Sequence, residues 1–232
     1  MIASRQDPGA SEPDIGMDVK TAIQNGDADA LRLLLREQPS LANELIRWGD
    51  RSICLTHPLH YLSDVRFEGK LANGAEIPLL DALIEAGADL NFQRDRDDDR
   101  KSDTPLIGAA SLGAEDAGIR LLEAGARPEM RGLFGETALH WAALLGEDRL
   151  AARLIERLET DLLNLKDAKY QSPPLGWAVH GWCSSPAGNH GRQREVAVLL
   201  VAAGALVEPE LLESDNVRNN RAILAALRPA RP

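Results

Sequence analysis

The stretch Gly135–Ile155, GETALHWAALLGEDRLAARLI, decides how the chain is read. His140 stands beside Trp141 among small apolar residues, where an imidazole belongs either to a reactive site or to a scaffold. The stretch has a twin. Asp103–Ala126, DTPLIGAASLGAEDAGIRLLEAGA, aligns without a gap on Glu136–Glu159, ETALHWAALLGEDRLAARLIERLE. Thr104 falls on Thr137, Leu106 on Leu139, Gly113 on Gly146, and Leu121–Leu122 on Leu154–Ile155. The two threonines are 33 residues apart. A fixed period of this size marks stacked supersecondary units, each too small to bury both of its faces alone.

Looser copies flank this pair. THPLHYLSD begins at Thr56 and LLDALIEAGADLN ends at Asn91; PPLGWAVHG begins at Pro173 and REVAVLLVAAGA follows from Arg194. The first copy, Val19–Asn43, keeps a Gly-Asp break and a leucine-rich second half but lacks the opening motif. Within a copy the local chemistry is consistent. Thr104 suits a helix N-cap and Pro105 the first turn, where no N–H bond is lost. Gly113 and Gly146 suit the left-handed residue that ends a helix. An amphipathic second helix follows, with Ile119, Leu121 and Leu122 on its apolar face. It closes at AGA, around Gly87, Gly125 and Gly204.

These motifs resemble the ankyrin repeat. HPLH (His57–His60), TPL (Thr104–Leu106), TALH (Thr137–His140) and the three AGA ends carry the resemblance over about Val19–Leu227. PLGWAVHGWC resembles a variant found in bacterial stand-alone ankyrin proteins, with Gly176 in the motif-histidine place. The resemblance implies an all-α solenoid of about six helix pairs with short β-hairpin fingers. The expected organisation is a disordered tail over 1–16 and one repeat domain over 17–228. Its approximate copies are 17–51, 52–92, 93–131, 132–166 and 167–206, with a C-terminal cap over 207–228. Pro209 should open a short helix there and Asn216 should cap the next. In this family the motif histidine is structural, so His140 and His60 are read as scaffold; Trp141 and Trp177, one position later, are read as core.

Several features point away from chemistry. Cys54, His57 and His60, and likewise His180, Cys183 and His190, match no established zinc spacing and supply too few ligands. Asp95, Asp97 and Asp99 alternate as in a calcium loop, but Arg100 holds the glycine position and Leu106 the glutamate position. No nucleophile–base pair or glycine-rich phosphate loop occurs. No cofactor or metal is expected, and the chain is read as a non-enzyme.

Composition narrows the partners. The 232 residues carry a net charge of −10, with 44% hydrophobic and only 4% aromatic residues. No basic stripe is present to follow a phosphate backbone, so neither nucleic acid nor an anionic membrane is expected as a partner. The two cysteines, Cys54 and Cys183, make no disulfide framework. The first residues lack the apolar core of a signal peptide, so a cytoplasmic monomer is expected.

The resemblance also implies a protein partner, recognised by the fingertips and the exposed face of each first helix. Carried over copy by copy, this selects Arg100, Lys101, Asp103, Ser111 and Leu112 in the third copy. In the fourth it selects Leu133, Phe134, Glu136, Leu144 and Leu145, and in the fifth Lys169, Tyr170, Ser172, His180 and Trp182. Phe134, Tyr170 and Trp182 are the expected anchors, because aromatic side chains dominate interface energies. The leading expectation is a protein-binding scaffold. The alternatives are a neutraliser of a partner enzyme, and an enzyme or ligand-binding protein built on two inserted segments, 66–78 and 184–193.

Overall fold

The computed structural model describes residues 15–48, 54–72, 74–94, 102–184 and 192–228. Five helix pairs stack in order: α1 (Ile15–Asn25) with α2 (Ala28–Glu37), α3 (Pro58–Phe67) with α4 (Glu76–Glu85), α5 (Pro105–Ser111) with α6 (Glu115–Glu123), α7 (Ala138–Leu145) with α8 (Asp148–Ile155), and α10 (Pro174–Ser184) with α11 (Gln193–Ala202). A single turn, α9 (Thr160–Leu163), follows α8. The stack ends in three short helices, α12 (Pro209–Glu213), α13 (Asp215–Arg218) and α14 (Arg221–Ala226).

First helices form one row, α1, α3, α5, α7 and α10, and second helices form another, α2, α4, α6, α8 and α11, each packed on its neighbours in the row. The core lies between the rows. Small residues set the spacing: Ala109, Ala110, Ala142, Ala143 and Ala178 have no exposed surface. Gly181 takes this furthest, since a Cβ there would come 2.1 Å from the Leu144 carbonyl oxygen at the end of α7. The chain is thus the all-α solenoid that its period predicts.

The caps follow the motif. Thr104 accepts from the Ile107 amide at 3.2 Å, and Gly146 ends α7 at φ +76°. The C-terminal cap departs from expectation. Asn220, not Asn216, caps the last helix, accepting from the Ala222 and Ile223 amides at 3.1 and 3.3 Å. The chain breaks at Ser214 and again at Asn219, so the region is three short helices rather than one pair.

The fingers are less regular than expected. Among the described residues only β1 (Ile46–Trp48) and β2 (Cys54–Thr56) pair as strands, antiparallel with Ile46 opposite Thr56. The later fingers are closed by isolated backbone bonds, Ser102 to Arg94 (2.9 Å), Gly132 to Glu136 (2.8 Å) and Asp167 to Ser172 (3.2 Å). A recurring asparagine ties successive copies together: Asn43 accepts from the Asp89 amide (2.7 Å), Asn91 from Arg127 (2.8 Å) and Asn164 from Leu206 (2.7 Å). The tail expected over 1–16 lies outside the described residues except for its last two, which begin α1. Asp95, Asp97 and Asp99 also lie outside them. The inserted segment 66–78 contributes its ends to α3 and α4, where Arg66 Nε meets the buried Glu76 Oε1 at 2.8 Å.

Candidate functional site

His140 settles the opening question by its bonds. It is fully buried, and its Nε2 lies 3.0 Å from the Leu165 carbonyl, which can only accept; Nε2 therefore carries the proton. Nδ1 accepts from the Thr137 amide at 3.1 Å. Burial brings its pKa down to about 4, so at neutral pH the ring is an uncharged strut between α7 and the next finger. His60 spans in the same way two copies earlier, with Nε2 2.9 Å from the Asp103 carbonyl. His57 occupies the threonine position instead. Its Nδ1 caps α3 at Leu59, its Nε2 meets Asn43, and its ring stacks on Phe92 at 4.6 Å. Cys54 is exposed on β2. His180 pairs with Ser184, and His190 lies outside the described residues.

The two tryptophans read as core have a second part. Trp141 and Trp177 meet edge to face, ring centres 5.1 Å apart and planes at 81°. Tyr170 meets Trp177 in the same way at 5.9 Å and 72°. Together they wall a cavity of about 510 Å³ completed by Leu144, Ser172, Gly176 and His180. It opens between α7, α10 and the finger before α10. Tyr170 is 62% exposed at its mouth. The Lys169 ammonium lies over both the Phe134 ring (4.7 Å) and the Tyr170 ring (4.9 Å), tying two fingertips into one rim.

A buried carboxylate holds each indole. Glu136 Oε1 accepts from Trp141 Nε1 at 3.2 Å, and its Oε2 from the Phe134 amide at 2.8 Å. Asp167 Oδ2 accepts from Trp177 Nε1 and the Ser172 amide, both at 3.1 Å; its Oδ1 accepts from the Lys169 (2.8 Å) and Tyr170 (2.6 Å) amides. Both residues are 0% exposed. Burial pushes Glu136 up, with the nearby Asp103 adding to it, and its hydrogen bonds only partly compensate. Burial pushes Asp167 up too, but the amides of Tyr170, Ser172 and Lys169 and the Trp177 indole outweigh it, and its pKa falls below the usual value.

The structure thus gathers Phe134, Leu144, Lys169, Tyr170, Ser172 and His180 about the two tryptophans. Leu133 lies on the same finger as Phe134, half-buried, and Leu145 is exposed at the end of α7. Asp103 is half-buried and accepts from the Leu133 amide at 2.9 Å, bridging two fingers. Ser111 bonds back to the Gly108 carbonyl, and Leu112 ends α5; neither lines the cavity. Arg100 and Lys101 lie outside the described residues. Two of the fifteen sit differently from what the motif alignment implies. Glu136 is fully buried, because its carboxylate organises the finger. Trp182 packs on the core and does not line the cavity. It follows His180 by two residues, roughly 200° around a helix, so it faces away.

Sequence reasoning missed Asp167 and the wall role of Trp141 and Trp177. The signal lay in the pair itself, since indoles at the same position of adjacent copies must meet when the copies stack. It also missed Glu147, at the turn before α8. That residue is 5% exposed, neither carboxylate oxygen has a hydrogen-bond partner among the described residues, and burial followed by the charge of Glu115 raises its pKa to about 8.

Among the described residues no helix is long and apolar enough to cross a membrane. An ankyrin-repeat family model of three copies matches residues 70–167, from the loop before α4 to the start of the fifth finger. The stacking of helix pairs continues unchanged on both sides of that span. With the motif histidines, the glycine turns and the family match in agreement, the chain carries ankyrin repeats over residues 70–167.

Proposed function

We propose that the chain is a non-catalytic, cytoplasmic, monomeric scaffold that holds a segment of a partner protein in the groove walled by Trp141, Tyr170 and Trp177. Ankyrin repeats are generally protein-interaction modules. One observation carries the reading to this place: an open aromatic cavity of about 510 Å³ on the first-helix row, with its walls fixed by buried carboxylates. Walls that do not reorganise cost little ordering on binding. An aromatic centre with mixed charge at its rim suits a protein segment, and nucleic acid would demand a basic stripe that the chain lacks.

The test is affinity purification with the full chain against Tyr170→Ala, followed by measurement of the affinity of the recovered partner. Loss of an exposed aromatic anchor should weaken binding by about 2 kcal/mol. Val198→Ala, exposed on α11, should leave it unchanged. A partner retained by Tyr170→Ala and lost by Val198→Ala would place the interface on the second-helix row and end this proposal.

A further inference from the structure

The aromatic cavity has a neighbour. A second recess of about 260 Å³ lies between α10 and the C-terminal cap, lined by Leu175, Leu206, Leu211, Glu208 and Glu210. Ser172 and Gly176 line both spaces, so the two adjoin there. What separates them is a sill at residues 172 and 176. In the preceding copy the motif imidazole, His140, spans from its helix to the next finger. Gly176 puts no side chain in that place; the Ser172 hydroxyl packs against it instead, so closely that a Cβ at 176 would come 2.2 Å from Ser172 Oγ.

The charges of the two ends differ. At the finger end the Lys169 ammonium already covers the Phe134 and Tyr170 rings, so a second cation is repelled from there. At the cap end Glu208 is paired with Lys166 at 2.7 Å. Glu210 is exposed and has no ion pair among the described residues. Between the ends, both indole N–H groups are committed to Glu136 and Asp167, so an occupant meets ring faces, which carry negative potential.

We infer that the groove takes its partner segment by a basic side chain, lysine or arginine, whose stem runs from the aromatic cavity across Gly176 and Ser172 and whose charged head meets Glu210. This rests on the groove reading above. The slender apolar stem suits the ring faces and the sill at Gly176 and Ser172, and the head reaches the one acidic group there that is not already paired among the described residues. The net charge of −10 favours approach of such a segment.

A displayed library of random peptides, panned on the intact chain, tests this. Selected peptides should carry lysine or arginine next to an apolar residue. Their affinity for Glu210→Gln should fall about tenfold, the loss expected for a hydrogen bond to a charged group. Panning on Glu210→Lys should replace the basic residue with an acidic one while keeping the apolar neighbour. Peptides that bind Tyr170→Ala as tightly as the parent chain sit elsewhere and overturn the groove reading, as does a library that yields no binder. Peptides that are lost on Tyr170→Ala but show no basic preference, or bind Glu210→Gln undiminished, leave the groove standing and overturn the basic side chain. Glu210 is exposed on α12, so its variants keep the fold and the reading stays clean.

Discussion

The two edges of the stack treat buried carboxylates in opposite ways. At the finger edge Asp167 accepts four hydrogen bonds and Glu136 two, and both organise the backbone around them. At the helix-turn edge Glu147 is 5% exposed and its carboxylate accepts none among the described residues. The arginines that feel its charge are engaged elsewhere, Arg66 with Glu76 and Arg192 with Glu115 and Asp148. Burial raises all three, and the balance with donors sets the direction: four bonds outweigh it at Asp167, two do not at Glu136, and at Glu147 burial and the charge of Glu115 carry the pKa up to about 8. Burial alone therefore does not say whether an acidic residue supports a fold or burdens it.

The largest expected effect is at the best-served site. Asp167→Ala leaves four donors without their acceptor and should lower stability by roughly 3–5 kcal/mol in chemical denaturation. A loss under about 1 kcal/mol would show that water replaces the carboxylate without cost, and the contrast between edges would collapse.

Glu147→Gln should act the other way. The folded pKa, about 8, lies above the ordinary 4.5, so the folded state holds the extra proton. The contribution of the neutral carboxyl is complete below pH 4.5 and is lost as pH rises through about 8. The variant should match the parent near pH 4.5 and be roughly 1–3 kcal/mol more stable above pH 8. Equal stability of the two proteins at high pH would mean that Glu147 ionises without penalty.

The finger pair sharpens the comparison by sign. Asp167, lowered from 3.8, contributes stability that is present above that value and lost as pH falls through its folded pKa. Glu136, raised from 4.5, contributes stability that is present below that value and lost as pH rises through its folded pKa. Denaturation across pH should therefore show the deficit of Asp167→Asn growing as pH rises from 3 to 5, and that of Glu136→Gln shrinking from 4.5 upward. Parallel curves for the two variants would refute the donor-count account.

The smallest effect sits between the fingers. Gly135 and Gln171 occupy the same place, two residues before Thr137 and Pro173, and both have positive φ, +74° and +52°. Gln171 is the one non-glycine residue among those described with this conformation. Gln171→Gly should raise the stability of the fifth finger by about 1 kcal/mol. A loss would mean that the Gln171 side chain, which donates to the Ala168 carbonyl at 3.1 Å, outweighs the backbone strain.

The period, the caps at Thr104 and Thr137, the glycine turns and the structural part of His140 were all legible in the sequence, because each is a local requirement repeated at a fixed spacing. The groove was half legible. Tyr170, Phe134 and Lys169 follow from fingertip position, but Glu136 reads as one more fingertip contact and Asp167 draws no reading, because nothing in a single copy shows that such a carboxylate will be buried. Trp182 lies outside the cavity wall for a related reason. The motif places it on the right helix, and only the helical phase relative to His180 turns it away. Asn216 and Asn220 are equally good caps by type, and the choice between them is made by the packing of Val217 and Ile223, both fully buried, on the last repeat.

The asparagine ties have a mechanical consequence. Asn43, Asn91 and Asn164 each fasten one copy to the next and reach no further, and each helix packs on the neighbouring copies along its row, with a part-exposed and therefore weak exception in the Arg192–Glu115 ion pair (3.0 Å) from the fifth copy to the third. A load pulling on the two ends is therefore carried in series, one boundary after another, as in a chain of springs. Its weakest link sets the force at which the stack parts, and the stiffness of the whole is lower than that of any single boundary. Between the third and fourth copies no such asparagine occurs, and Asp103 reaching the Leu133 amide takes its place.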